Sequence, residues 1–131
     1  SARQIIETHN LISHDEGGWF RETYRSPEMV ECVDRDGSTR PLLTTIHYML
    51  DCTKPRGLFH RNKSDIAHFY EGGGTLRYLT LTPEGLLQET ILGEGHKRQF
   101  LVKGGTWKAS ELIQGEWGMV GEAVSPGFDY R

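Results

Sequence analysis

The run GGGTLRYLTLTPEG, residues 72–85, is the stretch from which the fold is inferred. After three glycines, residues 75–81 place apolar side chains on both faces of a strand pattern. Alternate residues of a strand point to opposite faces, so we expect this strand to be covered on both sides. Thr82-Pro83-Glu84-Gly85 predicts a tight turn, because proline fixes φ and glycine tolerates positive φ. The glycines at 72–74 lack the Lys-Ser/Thr pair of a phosphate loop and are interpreted as a turn between strands.

The rest of the chain repeats this alternation of glycine clusters and short apolar stretches. The predicted strands lie near residues 19–25, 42–50, 58–62, 66–70, 75–81, 86–92, 99–102, 106–112 and 117–124. Only the N-terminal segment has a helical pattern, with Ile5, Ile6 and His9 forming one stripe that ends near Asn10. Many short strands between turns are typical of a sandwich or barrel, and 131 residues fit one domain. We therefore predict one all-β domain, residues 1–131, with a short N-terminal helix.

Composition excludes several classes of function. The net charge of −3 argues against non-specific nucleic-acid binding, which needs clustered positive charge. No run approaches the roughly 18 apolar residues of a membrane span, and no apolar segment precedes a signal-peptide cleavage site. The two cysteines, Cys32 and Cys52, form no CxxC motif and are expected to be reduced thiols. These features predict a cytoplasmic protein.

Four ordered motifs resemble those of one family. They are DEGGWFRETYR at residues 15–25, the histidine-containing run at 59–72, the run at 99–107 and VSPGF at 124–128. Together they resemble a cupin subfamily known as domain of unknown function 985. The resemblance implies a double-stranded β-helix, in which two antiparallel sheets form a small barrel with an open mouth. It also implies a homodimer, which would cover unpaired strand edges.

The resemblance includes only part of the metal-binding set of other cupins. Those proteins supply two histidines one residue apart, a glutamate and a third histidine, which suits Fe, Mn or Zn. At these positions this chain has His60, Asn62, Ile66 and Lys108. His68 lies two residues beyond Ile66 and could face the same cavity, but two imidazoles and an amide are a sparse ligand set. We therefore predict a barrel without a metal or another cofactor.

A polar pocket is the predicted functional site. Strand alternation puts His60 and Asn62 on one face, and Ile66, His68 and Tyr70 on the next. His60 is the leading candidate, because imidazole exchanges protons near neutral pH. Three roles stay open for His60: a buried imidazole bonded to a backbone carbonyl, a ligand-binding group or a catalytic base.

Enzymes of the cupin class suggest the catalytic role. Sugar-nucleotide epimerases with cupin folds use a metal-free histidine that a carboxylate orients, with a tyrosine opposite as the acid. By that resemblance, Asp65 or Asp129 would orient His60, and Tyr48 or Tyr70 would be the acid. The sequence does not establish that any of these groups are within hydrogen-bonding distance.

Cationic and aromatic residues suggest an anionic ligand. The guanidinium of Arg21 would suit phosphate if it faced the cavity, and the alternative is a solvated or dimer-forming face. Lys108 could also serve an anion, and Trp107 could stack on a base or sugar, although strand aromatics are commonly core residues. The ligand-binding candidates are Arg21, Tyr48, Asn62, His68, Gln99, Trp107 and Lys108.

Three functions are therefore compared. The first is a metal-free cupin that binds a small polar anion, such as a nucleotide or nucleotide-sugar, without nucleic-acid or membrane partners. The second is an epimerase or isomerase of an activated sugar with His60 as base. The third is a non-catalytic dimeric scaffold, which predicts a cavity plugged by side chains.

Overall fold

The computed structural model describes residues 1–32 and 37–128, and it confirms a predominantly β fold with one short N-terminal helix. The elements, in chain order, are α1 Ala2–His9, β1 Ile12–Ser13, β2 Trp19–Arg25, β3 Met29–Cys32, β4 Ser38–Pro41, β5 Thr44–Asp51, β6 Arg56–Arg61, β7 Asp65–Leu81, β8 Leu87–Leu92, β9 Gln99–Val102 and β10 Trp107–Ser125. In the part of the chain described, no helix has the length and apolar character needed to cross a membrane.

Local sequence explains both ends of α1. Ser1 and Gln4 form a capping box, which satisfies free backbone N–H groups at the start of the helix. Asn10 ends the helix in the left-handed region at φ 53°, which asparagine tolerates better than most residues. The apolar side of the helix packs on Met49 and Met119, which are buried on the outer face of the sheet. The predicted N-terminal helix is thus confirmed.

Two long strands organise the fold. β7 and β10 pair antiparallel along nearly their whole length. The C-terminal half of β10 also pairs with β5, which pairs with β2, while the N-terminal half of β7 pairs with β9. The other halves of β10 and β7 pair with β6 and β8. The two halves of this bent sheet face each other across the interior.

The glycines at 72–74 form the bend and not a turn. We predicted separate strands at 66–70 and 75–81, and at 106–112 and 117–124, but β7 and β10 run through both breaks. Register shifts lie at the bend. A Cβ on Gly74 would be only 1.8 Å from the Gln114 carbonyl oxygen, and Gly73 has φ +88°. Glycine is therefore needed there because two bent strands approach closely.

The small sheet of β3 and β4 was also not predicted. The polar run at 35–38 has the composition of a loop, but Ser38 begins β4; residues 35 and 36 lie outside the described residues. By contrast, β2 and β9 have the predicted bounds, and β5, β6 and β8 differ from prediction by at most two residues at each end.

Strand register determines which side chains meet inside the barrel. Directly opposed residues in antiparallel strands point to the same face. Glu122 of β10 lies opposite Ile46 and His68, and Lys108 of the same strand lies opposite His60 and Thr80. The set around Glu122 and the set around Lys108 lie in opposite halves of the bent sheet. Deeper in the barrel, a packed cluster fills the space: Tyr48, Leu50, Tyr70, Leu76, Tyr78, Leu92 and Val120.

Candidate functional site

A small polar cavity opens at one end of the barrel. Its volume is about 80 Å³, and strands β2, β5, β6, β7 and β10 contribute to its wall together with the loop before β2. Its polar lining residues are His14, Glu16, Glu22, His60, Asn62 and Glu122. The rest of the lining is apolar. We call this region the barrel mouth and the packed interior beneath it the barrel floor.

His60 is fixed at the mouth through one ring nitrogen. Its Nδ1 lies 2.8 Å from the Leu58 carbonyl oxygen and 2.8 Å from Oε2 of Glu16. The hydrogen bond is made to the Leu58 carbonyl, and the Glu16 carboxylate flanks the ring. Nε2 has no hydrogen-bond partner among the described residues. The carboxylate beside His60 is thus Glu16, which the sequence analysis did not identify.

The loop before β2 brings His14 and Glu16 to the mouth. The Glu16 amide donates to Nδ1 of His14 over 3.0 Å, and the His14 ring packs edge-on against Phe20 at 4.8 Å. Burial lowers the pKa of His14, although the nearby Glu16 carboxylate opposes that shift. Nδ1 of a neutral imidazole can accept this hydrogen bond. Gly17 lets the loop lie against β6, because a Cβ there would be 2.2 Å from the Arg56 carbonyl oxygen.

A bulge in β2 brings Arg25 into contact with Glu22 at the edge of the mouth, whereas Arg21 lies outside. Arg21 pairs with His47 and is exposed on the outer face. Between Glu22 and Tyr24 the register shifts, so Arg25 pairs with the fully buried Thr44. The Arg25 guanidinium donates two hydrogen bonds to the Glu22 carboxylate, at 2.9 and 3.2 Å. Arg21 therefore does not line the cavity, because its neighbour Glu22 faces inward; Arg25 leaves the face of Arg21 because the bulge adds one residue between them.

Beneath the mouth lies a buried group of three polar side chains, which we call the floor triad: His68, Lys108 and Glu122. Nζ of Lys108 lies 2.8 Å from Nε2 of His68 and 3.5 Å from Oε1 of Glu122. The exposed fractions are 0% for His68, 5% for Lys108 and 7% for Glu122. Phe100 stacks on the His68 ring at a centroid distance of 4.6 Å. Because the triad is so buried, its charged groups depend on each other, while Nδ1 of His68 has no hydrogen-bond partner among the described residues.

Burial and mutual charge determine the protonation of the triad. Burial, and then the Lys108 ammonium, lower the pKa of His68 to about 3. His68 is therefore neutral, and its Nε2 accepts from Lys108. Burial raises the pKa of Glu122, but opposing interactions, of which the Lys108 ammonium is the largest, outweigh it, so the net shift is downward. Glu122 is consequently an ionised carboxylate that faces both the floor and the cavity.

Sequence reasoning missed Glu122, although a signal was present. It stands between Val120 and Val124 in the alternation of β10, so its two neighbours on the same face are apolar. A charged residue at such a position needs a buried partner. Lys108, which is fourteen positions earlier in the chain, supplies it through the fold of β10.

Other predicted site residues lie away from His60. The Tyr48 hydroxyl donates to the Gly17 carbonyl at 2.8 Å, and the Tyr70 hydroxyl donates to the Gly73 carbonyl at 2.5 Å. Neither tyrosine lines the cavity, so the structure does not place an acid there as proposed. The Asp65 carboxylate accepts from the Gly104 amide at 2.9 Å and stabilises a loop.

Three further candidates are Asp129, Trp107 and Gln99. Asp129 lies outside the described residues. Trp107 is on the outer face, where the Arg61 guanidinium lies 5.1 Å from its ring centroid. Gln99 lies on β9, where it pairs with Phe69 of β7 and is exposed. Of the predicted ligand-binding residues, only Asn62 lines the mouth, while Tyr48, His68 and Lys108 belong to the floor.

The donor set does not fit a metal ion. Within residues 1–32 and 37–128, no three His, Cys, Asp or Glu side chains are grouped closely enough to hold one. Ile66 forms part of the wall and has no donor atom. The Lys108 ammonium lies beside His68 and Glu122, where it would repel a second cation.

A bent antiparallel sheet around a small mouth cavity defines this protein as a cupin. The chain belongs to the family described as cupin superfamily (DUF985), whose model matches residues 3–131. It is 36% identical to the uncharacterized protein YML079W of Saccharomyces cerevisiae, over all of this chain and 73% of that protein.

Solved structures support the same assignment. A hypothetical protein from Leishmania major has a TM-score of 0.89 and 28% identity, covering 100% of this chain and 84% of the other. Protein SO0799 from Shewanella oneidensis has a TM-score of 0.86 and 32% identity, covering 98% and 80%. Oxalate decarboxylase from Bacillus subtilis has a TM-score of 0.59 and 15% identity, over 86% of this chain and 26% of the enzyme, and shows only a shared fold.

Proposed function

We propose that the mouth of this cupin binds a small polar ligand, with His60 as the central contact. One observation carries the proposal: Nδ1 of His60 is held at 2.8 Å by the Leu58 carbonyl, while Nε2 is left without a protein partner in the described chain. A ring fixed in this way is ready to make one directed hydrogen bond. Asn62 and Glu122 add further polar groups around the same space.

A nucleotide-sugar fits this site if only part of its sugar enters. A cavity of about 80 Å³ has room for one small polar group and cannot enclose a whole nucleotide. Sugar hydroxyls both donate and accept, as a mixture of carboxylates, imidazoles and an amide requires. Arg21 is outside and Lys108 is paired with Glu122, so the anionic diphosphate would stay at the opening.

The test is a binding panel of nucleoside diphosphates, sugar nucleotides and free sugars, followed by thermal shift and calorimetry. We expect sugar nucleotides to raise the melting temperature of the wild type. His60→Gln should weaken binding about tenfold, as expected for the loss of one directed hydrogen bond. His96→Gln, at an exposed loop position, is the matched control and should bind like the wild type. A panel without any response would contradict the proposal.

A second candidate function, proton transfer at carbon, is favoured by the contact between Glu16 and His60. A base at Nε2 becomes an imidazolium when it takes a proton, and a carboxylate 2.8 Å from Nδ1 stabilises that charge. This arrangement suits an epimerase or isomerase of an activated sugar. Tyr48 and Tyr70, the predicted acids, donate to backbone carbonyls and do not line the cavity.

Solvent deuterium exchange tests this candidate. A sugar nucleotide with a carbonyl beside the exchangeable carbon is incubated in heavy water and examined by NMR. We expect wild-type exchange to fall at least about 100-fold in His60→Gln, a typical loss for a general base. Equal exchange in the variant and in wild type would eliminate His60 as the base while leaving ligand binding intact.

We also propose a cytoplasmic homodimer. Leu58, Phe59 and Leu87 are each at least 50% exposed, which is a large apolar area for a small domain in water. Cys32 and Cys52 are both free thiols, as a reducing compartment favours. Sedimentation velocity is expected to give a dimer, and a monomer at all concentrations would refute the assembly.

A further inference from the structure

The charges of the mouth do not balance. Three carboxylates line it, from Glu16, Glu22 and Glu122, and no lysine or arginine among the described residues does. Two of these carboxylates have a fixed cation: Arg25 contacts Glu22 at 2.9 Å, and Lys108 lies 3.5 Å from Glu122. Among the described residues, three negative charges against two positive charges leave one negative charge, on Glu16, when the imidazoles are neutral.

Glu16 is the carboxylate without a permanent counter-charge. Its Oε2 is buried and has no hydrogen-bond partner in the described part of the chain, although Nδ1 of His60 is 2.8 Å away, because that nitrogen bonds to Leu58. A buried carboxylate oxygen in this state favours a nearby proton donor or positive charge. The second imidazole, His14, does not supply one, since burial lowers its pKa.

We propose that the mouth selects ligand groups by charge: it takes a neutral hydroxyl-rich or cationic amino group and rejects an anionic one. This inference deepens the proposed function and rests on it. An anion would lie beside uncompensated negative charge in a half-enclosed space, where water screens poorly. An amino sugar or neutral sugar would donate to the carboxylates and meet no repulsion.

Three probes of one shape test the inference: D-glucosamine, D-glucose and D-glucuronate, titrated near neutral pH at constant ionic strength. Binding is followed by ¹H–¹⁵N NMR at the backbone amides of residues 14–16, 62 and 122. We expect glucosamine to bind at least about tenfold more tightly than glucuronate, with glucose between them.

Two charge-removing variants identify the cause. Glu16→Gln and Glu22→Gln each leave the mouth with equal positive and negative charge, by changing different residues. In both, glucosamine and glucuronate should bind within about threefold of each other, and the affinity for glucose measures any loss of hydrogen bonds that is unrelated to charge. Because each variant removes the charge independently, a folding defect in one leaves the other as the test. Glu84→Gln, in an exposed turn, changes the total charge equally and should keep the wild-type preference.

The possible outcomes distinguish a failure of charge selection from a failure of ligand binding at the mouth. If glucuronate binds as tightly as glucose in wild type, the charge selection is overturned while the mouth remains a binding site. If Glu84→Gln also abolishes the preference, the total charge of the protein is responsible and the inference is overturned. If none of the three sugars and no sugar nucleotide shifts the mouth resonances, the proposed function itself fails.

Discussion

The mouth and the floor of the barrel use the same kinds of side chain in opposite ways. At the mouth, His60 and Glu16 are partly exposed, and Nε2 of His60 and Oε2 of Glu16 lack hydrogen-bond partners within the described chain. At the floor, His68 and Glu122 are buried and share one ammonium, that of Lys108. Each region thus contains a histidine beside a carboxylate; in the floor Lys108 contacts both of them, whereas at the mouth the cation Arg25 contacts Glu22 and not the His60–Glu16 pair.

Because of this difference, we expect the floor to contribute to stability and the mouth to ligand binding. A buried charge that loses its partner destabilises the fold strongly, whereas a half-exposed polar group can turn to water. The floor triad therefore holds the two halves of the bent sheet together, and the mouth is free to exchange water for a ligand. Glu122 belongs to both regions, since it contacts Lys108 and lines the cavity.

The largest expected effect comes from removing the shared ammonium. Lys108→Met keeps the side-chain length but leaves Glu122 buried without its cation, so we expect a loss of about 3–5 kcal/mol in the free energy of unfolding. The pKa of Glu122 should then rise, because burial acts on it without the opposing charge. Urea unfolding at neutral pH measures the loss.

A double variant shows whether the pair or the packing is responsible. Lys108→Met with Glu122→Leu removes both charges and should be more stable than Lys108→Met alone. Equal or greater loss in the double variant would mean that packing, and not an uncompensated carboxylate, determines the cost. The floor would then resemble an ordinary apolar core.

The intermediate effect is a pH dependence of stability. The pKa of His68 is about 3 in the folded chain and near its ordinary 6.5 when unfolded. Below about pH 6.5 the unfolded state binds a proton at His68 that the folded state does not bind. The contribution of His68 to the free energy of unfolding is therefore fully present above that pH and decreases as the pH drops towards 3. The expected slope from this group is about 1.4 kcal/mol per pH unit between roughly pH 6 and 4.

His68→Gln isolates the contribution of His68, because glutamine can still accept from Lys108 but does not titrate. Urea unfolding of both proteins across that range should show a slope smaller by nearly one proton in the variant. The lowered pKa of His14 acts in the same direction and remains in both proteins. If the free energy of unfolding had the same slope against pH in wild type and in His68→Gln, His68 would titrate normally in the folded state.

Much of the fold could be predicted from the sequence, because strands follow local alternation and turn residues. The strand 19–25 and the strand 99–102 have the predicted bounds. The glycines at 72–74 were misinterpreted because a bend inside a long strand and a turn between two strands use the same residues. Only contact with the partner strand, seen at Gly74 and Gln114, distinguishes them.

The site was less predictable, because its contacts join distant parts of the chain. His60 and Asn62 line the mouth as alternation indicated. Alternation alone does not decide which of Arg21 and Glu22 faces the mouth. The bulge between Glu22 and Tyr24 then moves Arg25 off the face of Arg21, and one inserted residue leaves no clear mark in a single sequence.

The smallest expected effect on stability is at the mouth. His60→Gln removes one hydrogen bond, from Nδ1 to the Leu58 carbonyl, at a side chain that is 24% exposed. Water can replace that bond, so we expect a change of no more than about 1 kcal/mol in the free energy of unfolding by urea. A loss of about 3 kcal/mol or more would instead make His60 a structural imidazole and place it with the floor. The contrast between a large effect at Lys108 and a small one at His60, in strands that pair directly, is what identifies the mouth as a binding site rather than part of the core.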